Sequence, residues 1–385
     1  MRSTLDTGVR VWQIRNAKRK NRPRDFPIAS HYTFTMPALS DFDVPTLADV
    51  LSRAGCVPSH ARTLLRNYYD NHGHLDFAQL RVGRKVEGLF AGAIAPRQSN
   101  ITTKSVSADG TTKLLVRFTG GRSTETVLMP GHRADRAAGC VSSQIGCAMG
   151  CDFCASTKRG LERSLTAGEI VEQFLHLRAE AALLNRKIAS LVFMGMGEPL
   201  LNLANVVQAI KLIAGSETGS LGWRQITVST VGIVPGIDAL AAANLNVHLA
   251  LSLHAPDDAT RAKLVPMNRR YPVADILAAA RRFYAKTDRI VTIEYCMLAG
   301  VNDSDEHASM LVDRVGDFRA HVNLIPYNAI GAGLSGMIYR RPTPDRVLAF
   351  LNILRDAKIV AHSRQTRGDD VNAACGQLLN ASGSD

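Results

Sequence analysis

Gly146-Cys147-Ala148-Met149-Gly150-Cys151-Asp152-Phe153-Cys154 sets three cysteines in the spacing Cys-x3-Cys-x2-Cys. Three thiolates suit an iron–sulfur cluster with one iron left open. A cluster held by four cysteines is closed and usually only carries electrons. The open iron can bind a small molecule. A zinc site is the alternative, but structural zinc usually takes its four ligands from paired Cys-x2-Cys units. No second pair occurs in the chain.

Around this loop, from about residue 135 onward, the pattern alternates strand and helix. Apolar runs at 189–194, 224–229, 246–253, 290–296, 320–326 and 358–363 predict strands. Amphipathic runs at 167–184, 204–214, 234–243, 273–284, 304–313 and 344–357 predict helices. Thr166-Ala167-Gly168-Glu169 is a capping box opening the first of these helices. Repeated strand–helix units imply a parallel sheet. Six or so units, with the cysteine loop after the first strand, predict an α/β fold of partial (β/α)6-barrel type over 133–365. Sites in such folds gather at the carboxyl ends of the strands.

Upstream, Leu47, Val50 and Leu51 share one helical face, and Pro58-Ser59 opens a second helix carrying Ala61, Leu64 and Leu65. These predict a small helical accessory domain over 41–100, assigned to RNA binding. Asp109-Gly110 between Thr103–Ser107 and Lys113–Phe118 is a hairpin signal, followed by Gly120-Gly121 and a strand at Glu125–Met129. The span 101–132 therefore reads as a β-hairpin connector, and 366–385 as a polar C-terminal tail.

The 385 residues are 46% apolar, enough for a sizeable core, and carry a formal charge of +12 with a pI near 9.6. Such a balance favours a polyanionic partner, most simply nucleic acid. Residues 1–35 hold eight Lys/Arg against two acids, a net +6 and half the total. Together with the next few residues, the segment 1–40 reads as a disordered basic arm; a leader preceding a start at Met36 is the alternative. No run of about 18 apolar residues occurs, so no spanning helix and no membrane partner are expected. Seven cysteines with a bunched triplet point to a reducing compartment, the cytoplasm.

Met194-Gly195-Met196-Gly197-Glu198-Pro199 ends the strand at 189–194. Its glycines let backbone approach a ligand closely, and Glu198 could bind the same molecule. Ser229, Ser252, His254 and Asn328 end later strands and offer polar atoms at the same mouth. Cys56 and Cys296 read as packed residues. Cys375, in the polar run Arg367–Gln377, reads as a thiol able to travel and react. Cys140 stands seven residues before the cysteine loop.

Six stretches, Cys140–Cys154, Phe193–Leu200, Thr227–Pro235, Ala250–Pro256, Val322–Asn328 and Thr366–Leu378, resemble in order the RlmN/Cfr family of radical S-adenosylmethionine (SAM) RNA methyltransferases. The likeness spans residues 45–380 and leaves the basic arm outside. It implies that Cys147, Cys151 and Cys154 bind a 4Fe-4S cluster whose open iron grips SAM. It implies SAM contacts at Gly197, Glu198, Ser229, Ser252, Leu253, His254 and Asn328. Cys375 matches the methyl-carrying cysteine, Cys140 the resolving one, and Glu125 the proton acceptor. The implied reaction consumes two SAM molecules and methylates carbon 2 of an adenosine in 23S ribosomal RNA, with transfer RNA as a second candidate. A Cys140–Cys375 disulfide then forms, and an electron donor resets it. The resemblance further implies a monomer.

Alternatives are a C8-directed relative of Cfr type, a radical SAM enzyme acting on a small molecule or peptide, and a non-catalytic RNA-binding protein with a structural metal. A non-RNA substrate would leave the Cys140/Cys375 pair and the basic charge without use. A binding module would need no Gly197-Glu198 turn. Two stretches depart from the family pattern: the basic arm, and Gly331–Ile338, which looks longer than usual.

Overall fold

In the computed structural model, which describes residues 36–215 and 221–379, the first helices are α1 (Val44–Arg53), α2 (His60–Asp70) and α3 (Arg84–Leu89). Asp43 caps α1, its Oδ1 accepting from the Thr46 amide at 2.9 Å. Leu47 and Leu51 of α1 pack with Leu64, Leu65, Tyr68 and Tyr69 of α2, all buried, so the predicted apolar faces are the ones that meet. The arm read at 1–35 lies outside the described residues. Its expected extension to residue 40 is corrected: Ala38, Leu39 and Ser40 are buried, and the Leu39 amide donates to Ala95 O at 2.9 Å. Pro37-Ala38-Leu39 supplies apolar surface at this point, and Asp41 accepts from the Gly168 amide at 2.9 Å.

Next come β1 (Ser99–Val106), β2 (Thr112–Phe118) and β3 (Ser123–Pro130), an antiparallel meander turning at Asp109-Gly110 and Gly120-Gly121. It is not a free connector. β3 pairs antiparallel with β4 (Arg136–Cys140), and β4 pairs in parallel with a later strand of the core. β4 was absent from the predicted strands. Arg136-Ala-Ala-Gly-Cys140 has no β-branched or aromatic residue, and β propensity is carried largely by those; pairing on both sides makes it a strand.

The chain then makes a short ladder, β5 (Gln144–Gly146) with β6 (Leu161–Ser164), around the cysteine loop. After it follow α4 (Ala167–Leu183), β7 (Lys187–Phe193), α5 (Leu203–Ala214), β8 (Ile226–Thr230), α6 (Val234–Ala242), β9 (His248–Ser252), α7 (Asp258–Leu264) and α8 (Val273–Thr287). The core ends with β10 (Val291–Met297), α9 (Asp305–Val315), β11 (Ala320–Pro326), α10 (Pro344–Asp356) and β12 (Val360–Ser363). Helix α4 opens on the predicted capping box: Thr166 Oγ1 accepts from the Glu169 amide, and Glu169 Oε2 from the Thr166 amide. Helix α7 was not expected, being only seven residues long and too short for a period to show.

Ten strands form one sheet in the order β1-β2-β3-β4-β7-β8-β9-β10-β11-β12. From β4 to β12 every neighbour is parallel, with a helical crossover between each successive pair. The α/β fold with an open (β/α)6-type core is therefore as expected, the six predicted strands being β7 to β12 and β4 one further strand.

Beyond β12 the tail turns back across the mouth of the sheet to the meander. Arg367 donates to Pro130 O (2.8 Å), the Gly368 amide to Asp109 Oδ2 (3.0 Å), and Lys113 Nζ to Asn372 O (3.1 Å). On the other side the Ala155 amide donates to Gly376 O (2.7 Å), and Ser156 Oγ to Leu378 O (2.7 Å). The tail is thus a strap fixed to the antiparallel strands and to the cysteine loop together.

Candidate active site

The carboxyl ends of the parallel strands, the cysteine loop and the strap enclose a cavity of about 150 Å3. By this measure a single water needs about 10–15 Å3, so there is room for something much larger than solvent. Cys147, Cys151, Cys154, Gly197, Glu198, Ser229, Ser252, His254 and Cys375 all line it, as do Phe153, Glu294, Cys296 and Arg364. Leu253, Asn328, Cys140 and Glu125 lie outside the lining.

The cysteine loop is held at both ends. A Cβ on Gly146, at φ +74°, would lie 1.9 Å from Gly160 O, so only glycine lets β5 and β6 close there. The Cys147 amide donates to Gly160 O and the Asp152 amide to Leu264 O, both at 2.9 Å. Burial pushes the Cys147 thiol up to about 12 and the Cys151 and Cys154 thiols upward as well; Cys154 opposes ionisation of Cys147, and Cys147 and Cys154 oppose that of Cys151. The three sulfurs are therefore close enough to repel as thiolates. Among the described residues, no three His, Cys, Asp or Glu side chains converge on a point that would hold a single ion. Arg261 is fully buried and is the cation favouring the Cys151 thiolate; its Nε donates to Leu253 O at 2.8 Å.

The glycine turn after β7 lies directly on the segment before β5. A Cβ on Gly195 would meet Ser142 Oγ at 2.6 Å, and one on Gly197, at φ +99°, would meet Gln144 Cβ at 2.5 Å. Both positions exclude a side chain. Glu198 is buried, and its carboxylate accepts from the Leu200 amide (3.0 Å) and the Val231 amide (2.9 Å). It thereby ties the loops after β7 and β8 together, and burial lifts it to about 7. Ser229 and Ser252 face each other across β8 and β9, Oγ to Oγ at 3.3 Å.

His254 adopts φ +62°, and its ring lies edge-on to Phe153 at 4.7 Å between centroids. Burial, and secondarily Arg261, lower its pKa to about 3. Its Nδ1 accepts from the Cys296 amide at 3.0 Å, so the neutral ring carries its proton on Nε2.

Cys375 is exposed because the cavity it lines opens to solvent. Asn328 Nδ2 donates to Cys375 O at 3.1 Å and so grips the strap. Cys140 ends β4 in an apolar nest of Val127, Met196, Ala373 and Leu378. Burial and the neighbouring Cys375 push its thiol up to about 12. Arg364, paired with buried Glu294 at 3.7 Å, is the cation that opposes the burial of both thiols. Glu125 is buried on β3. Lys113 Nζ lies 3.1 Å from its Oε1, and the Leu379 amide donates to its Oε2 at 2.8 Å.

The Radical SAM superfamily profile matches residues 141–311. A protein of Opitutus terrae, named "Probable dual-specificity RNA methyltransferase RlmN 1", is 54% identical over 89% of this chain and 96% of its own length. One of Nostoc punctiforme, "Probable dual-specificity RNA methyltransferase RlmN", is 40% identical over 89% and 93%. The chain belongs to the RlmN family. The crystal structure of a radical SAM methyltransferase from Sphaerobacter thermophilus superposes with a TM-score of 0.84 at 39% identity, covering 89% of this chain and 99% of that one.

As an RlmN-family member the chain is a radical SAM RNA methyltransferase that works with a 4Fe-4S cluster and SAM. Its site fits both: three mutually repelling thiols around one space, and next to them a turn that excludes side chains. Arg261, Glu294, Arg364 and Phe153 were missed from the sequence. The first three are charged residues that burial alone distinguishes from solvated ones. Phe153, inside the cysteine motif itself, could have been noticed.

Proposed function

We propose that this RlmN-family chain methylates carbon 2 of an adenosine in 23S ribosomal RNA and also in transfer RNA, in the cytoplasm and as a monomer. In this reading Cys147, Cys151 and Cys154 hold the cluster, Cys375 carries the methyl group and Cys140 resolves it. The observation that carries the reading is the strap: it brings Cys375 to the cavity lined by the three cysteines and packs its neighbours Ala373 and Leu378 on Cys140. The relatives' names, dual-specificity RNA methyltransferase, fit more than one RNA. Among the described residues no helix is long and apolar enough to cross a membrane.

Carbon 2 of adenine is electron-poor and cannot attack a methyl cation equivalent directly. When bound, cluster and SAM supply an electrophilic methyl group and a radical able to remove hydrogen. Cys375 provides the nucleophile that the base lacks: its thiolate, favoured by Arg364, accepts the methyl group by displacement. After hydrogen loss, the sulfur-borne carbon radical bonds to adenine, and the adduct gives back the one electron that opened the radical step. Glu125 takes the ring proton, with Lys113 holding its carboxylate in place. Cys140 then attacks the Cys375 sulfur, the carbon–sulfur bond breaks toward the base, and a disulfide remains that an external donor of two electrons reduces.

Anaerobic reaction with SAM, a reductant and each RNA, followed by nucleoside mass spectrometry, tests this. 2-Methyladenosine in both RNAs is expected. 8-Methyladenosine would assign the C8 chemistry instead, and an unmodified transfer RNA would restrict the substrate to the ribosome.

A further inference from the structure

Three large apolar side chains stand in solvent on one loop: Leu334 is 55% exposed, Met337 56% and Ile338 70%. Nothing in the chemistry above uses them. The loop is nevertheless rigid. Asp152, between two cluster cysteines, accepts from the Ser335 amide (2.7 Å), Ser335 Oγ (2.5 Å) and Tyr339 OH (2.6 Å). A Cβ on Gly333 would lie 2.3 Å from Asp152 O, and the Gly333 amide donates to Met337 O at 2.8 Å. The loop is built as tightly onto the cysteine loop as a glycine permits, and Tyr339 leads from it to Tyr327 in the cavity wall, 6.0 Å between ring centroids.

Its surroundings are cationic. Lys158 Nζ reaches Ile330 O at the base of the loop, and Arg340, next to Tyr339, is exposed at its other end. An apolar tip framed by cations complements a base stack framed by phosphates, and suits a protein surface less well. Aliphatic side chains inserted between bases unstack them at a cost repaid by wider contact. An enzyme acting on a base must take it out of the stack, and carbon 2 lies at the edge of a stacked, often paired ring.

We propose that residues 331–338 form an apolar wedge, with Leu334, Met337 and Ile338 packing against the bases that flank the target adenosine and holding it out of its stack at the cavity mouth. The proposal rests on the reading that this site modifies an adenosine within RNA.

The test uses the full chain and an RNA stem-loop that carries 2-aminopurine, a base whose fluorescence rises on unstacking, beside the target adenosine. Wild-type protein is expected to raise the fluorescence at saturation. The triple variant Leu334→Ser/Met337→Ser/Ile338→Ser is expected to give less than half that rise, to lose about tenfold in kcat/KM for methyl transfer, and to keep its thermal midpoint. An RNA with abasic sites flanking the adenosine should be methylated equally by both proteins. A full fluorescence rise with the variant, or none with the wild type, overturns the wedge. A variant that unstacks RNA normally but loses self-association would make the tip a protein contact. The fluorescence needs no chemistry, so failure of the wild type to make 2-methyladenosine defeats the functional reading and leaves this one to its own result.

Discussion

Burial pushes both the Cys140 and the Cys375 thiol up, with Arg364 opposing it in each, and the two differ in access. Cys140 is buried among apolar side chains with its thiol pushed up to about 12, a poor nucleophile until a partner sulfur is presented. Cys375 is exposed to the cavity with Arg364 beside it. If Cys375 loads first and Cys140 resolves last, Cys140→Ala stalls after the carbon bond to the base has formed. A covalent protein–RNA species should then accumulate on denaturing gels, sensitive to nuclease and resistant to thiols. Cys375→Ala should give none, and the double variant should match Cys375→Ala. Free turnover by Cys140→Ala, or a crosslink that survives without Cys375, would remove the pair from these roles. Cys375 could be singled out in the sequence because a thiol on a polar tail is a poor core residue, whereas the role of Cys140 came only from the family resemblance. Arg261 could not be singled out, since nothing local separates a buried arginine from one in solvent.

At the level of elements, every core strand with a run of β-branched and apolar residues was legible, and so were the six long helices. β4 was not, because pairing and not composition makes it a strand, and α7 is shorter than two helical turns. The glycine turn after β7 was read as a place of close approach. The structure supplies the reason, since Gly197 lies against Gln144. Gly197→Ala must move that contact and also strain a φ of +99°. We expect SAM affinity to fall by about tenfold or more, equivalent to about 1.4 kcal/mol, with little loss of the N-terminal helices. Titration calorimetry on the reconstituted protein reads it, and unchanged affinity would mean that the turn does not shape the site.

A second element-level feature is the seam between helix α4 and the chain before the core. Glu172 accepts from the Gln98 amide (2.9 Å), Ser40 Oγ (2.9 Å) and Ser99 Oγ, and Ser99 Oγ lies 3.0 Å from His176 Nε2. Because the Ser99 hydroxyl donates to the carboxylate, the neutral His176 ring must donate from Nε2. Burial lowers His176 to about 3, below its ordinary value of 6.5. The folded state therefore binds this proton less readily than the unfolded chain does. The stabilisation is complete above pH 6.5 and is lost as pH falls toward 3, by at most about 1.4 kcal/mol per pH unit. His176→Gln keeps a donor and removes the titration. Its stability should decline less steeply than the wild type's between pH 6.5 and 4.5 in urea melts, with the opposite drift of Glu172 common to both proteins. Parallel curves would show that His176 stays unprotonated for another reason, or that the seam opens before global unfolding.

For the whole molecule, charge is the property that sequence reveals and folding distributes. The formal +12 divides equally between residues 1–35 and the remaining 350, so half of it sits on less than a tenth of the chain. The described part has a cation in the cavity wall, Arg364. The two should do different work. A cation in a built cavity can orient one nucleotide, whereas a run of Lys and Arg meets phosphates wherever they lie, and such contacts position without specifying. Deleting residues 1–35 should therefore weaken RNA binding most at low salt and leave the methylated position unchanged. The slope of log affinity against log salt should become shallower by about 0.7–0.9 for each phosphate that the arm no longer neutralises. The truncated chain is expected to fold, because the described residues from Ala38 and Leu39 onward build a buried core among themselves. Fluorescence anisotropy across a salt series, with nucleoside mapping of the product, separates the outcomes. A truncated enzyme with the wild-type slope would mean that the segment adds charge without touching RNA, and a change in the methylated nucleotide would mean that it reads sequence.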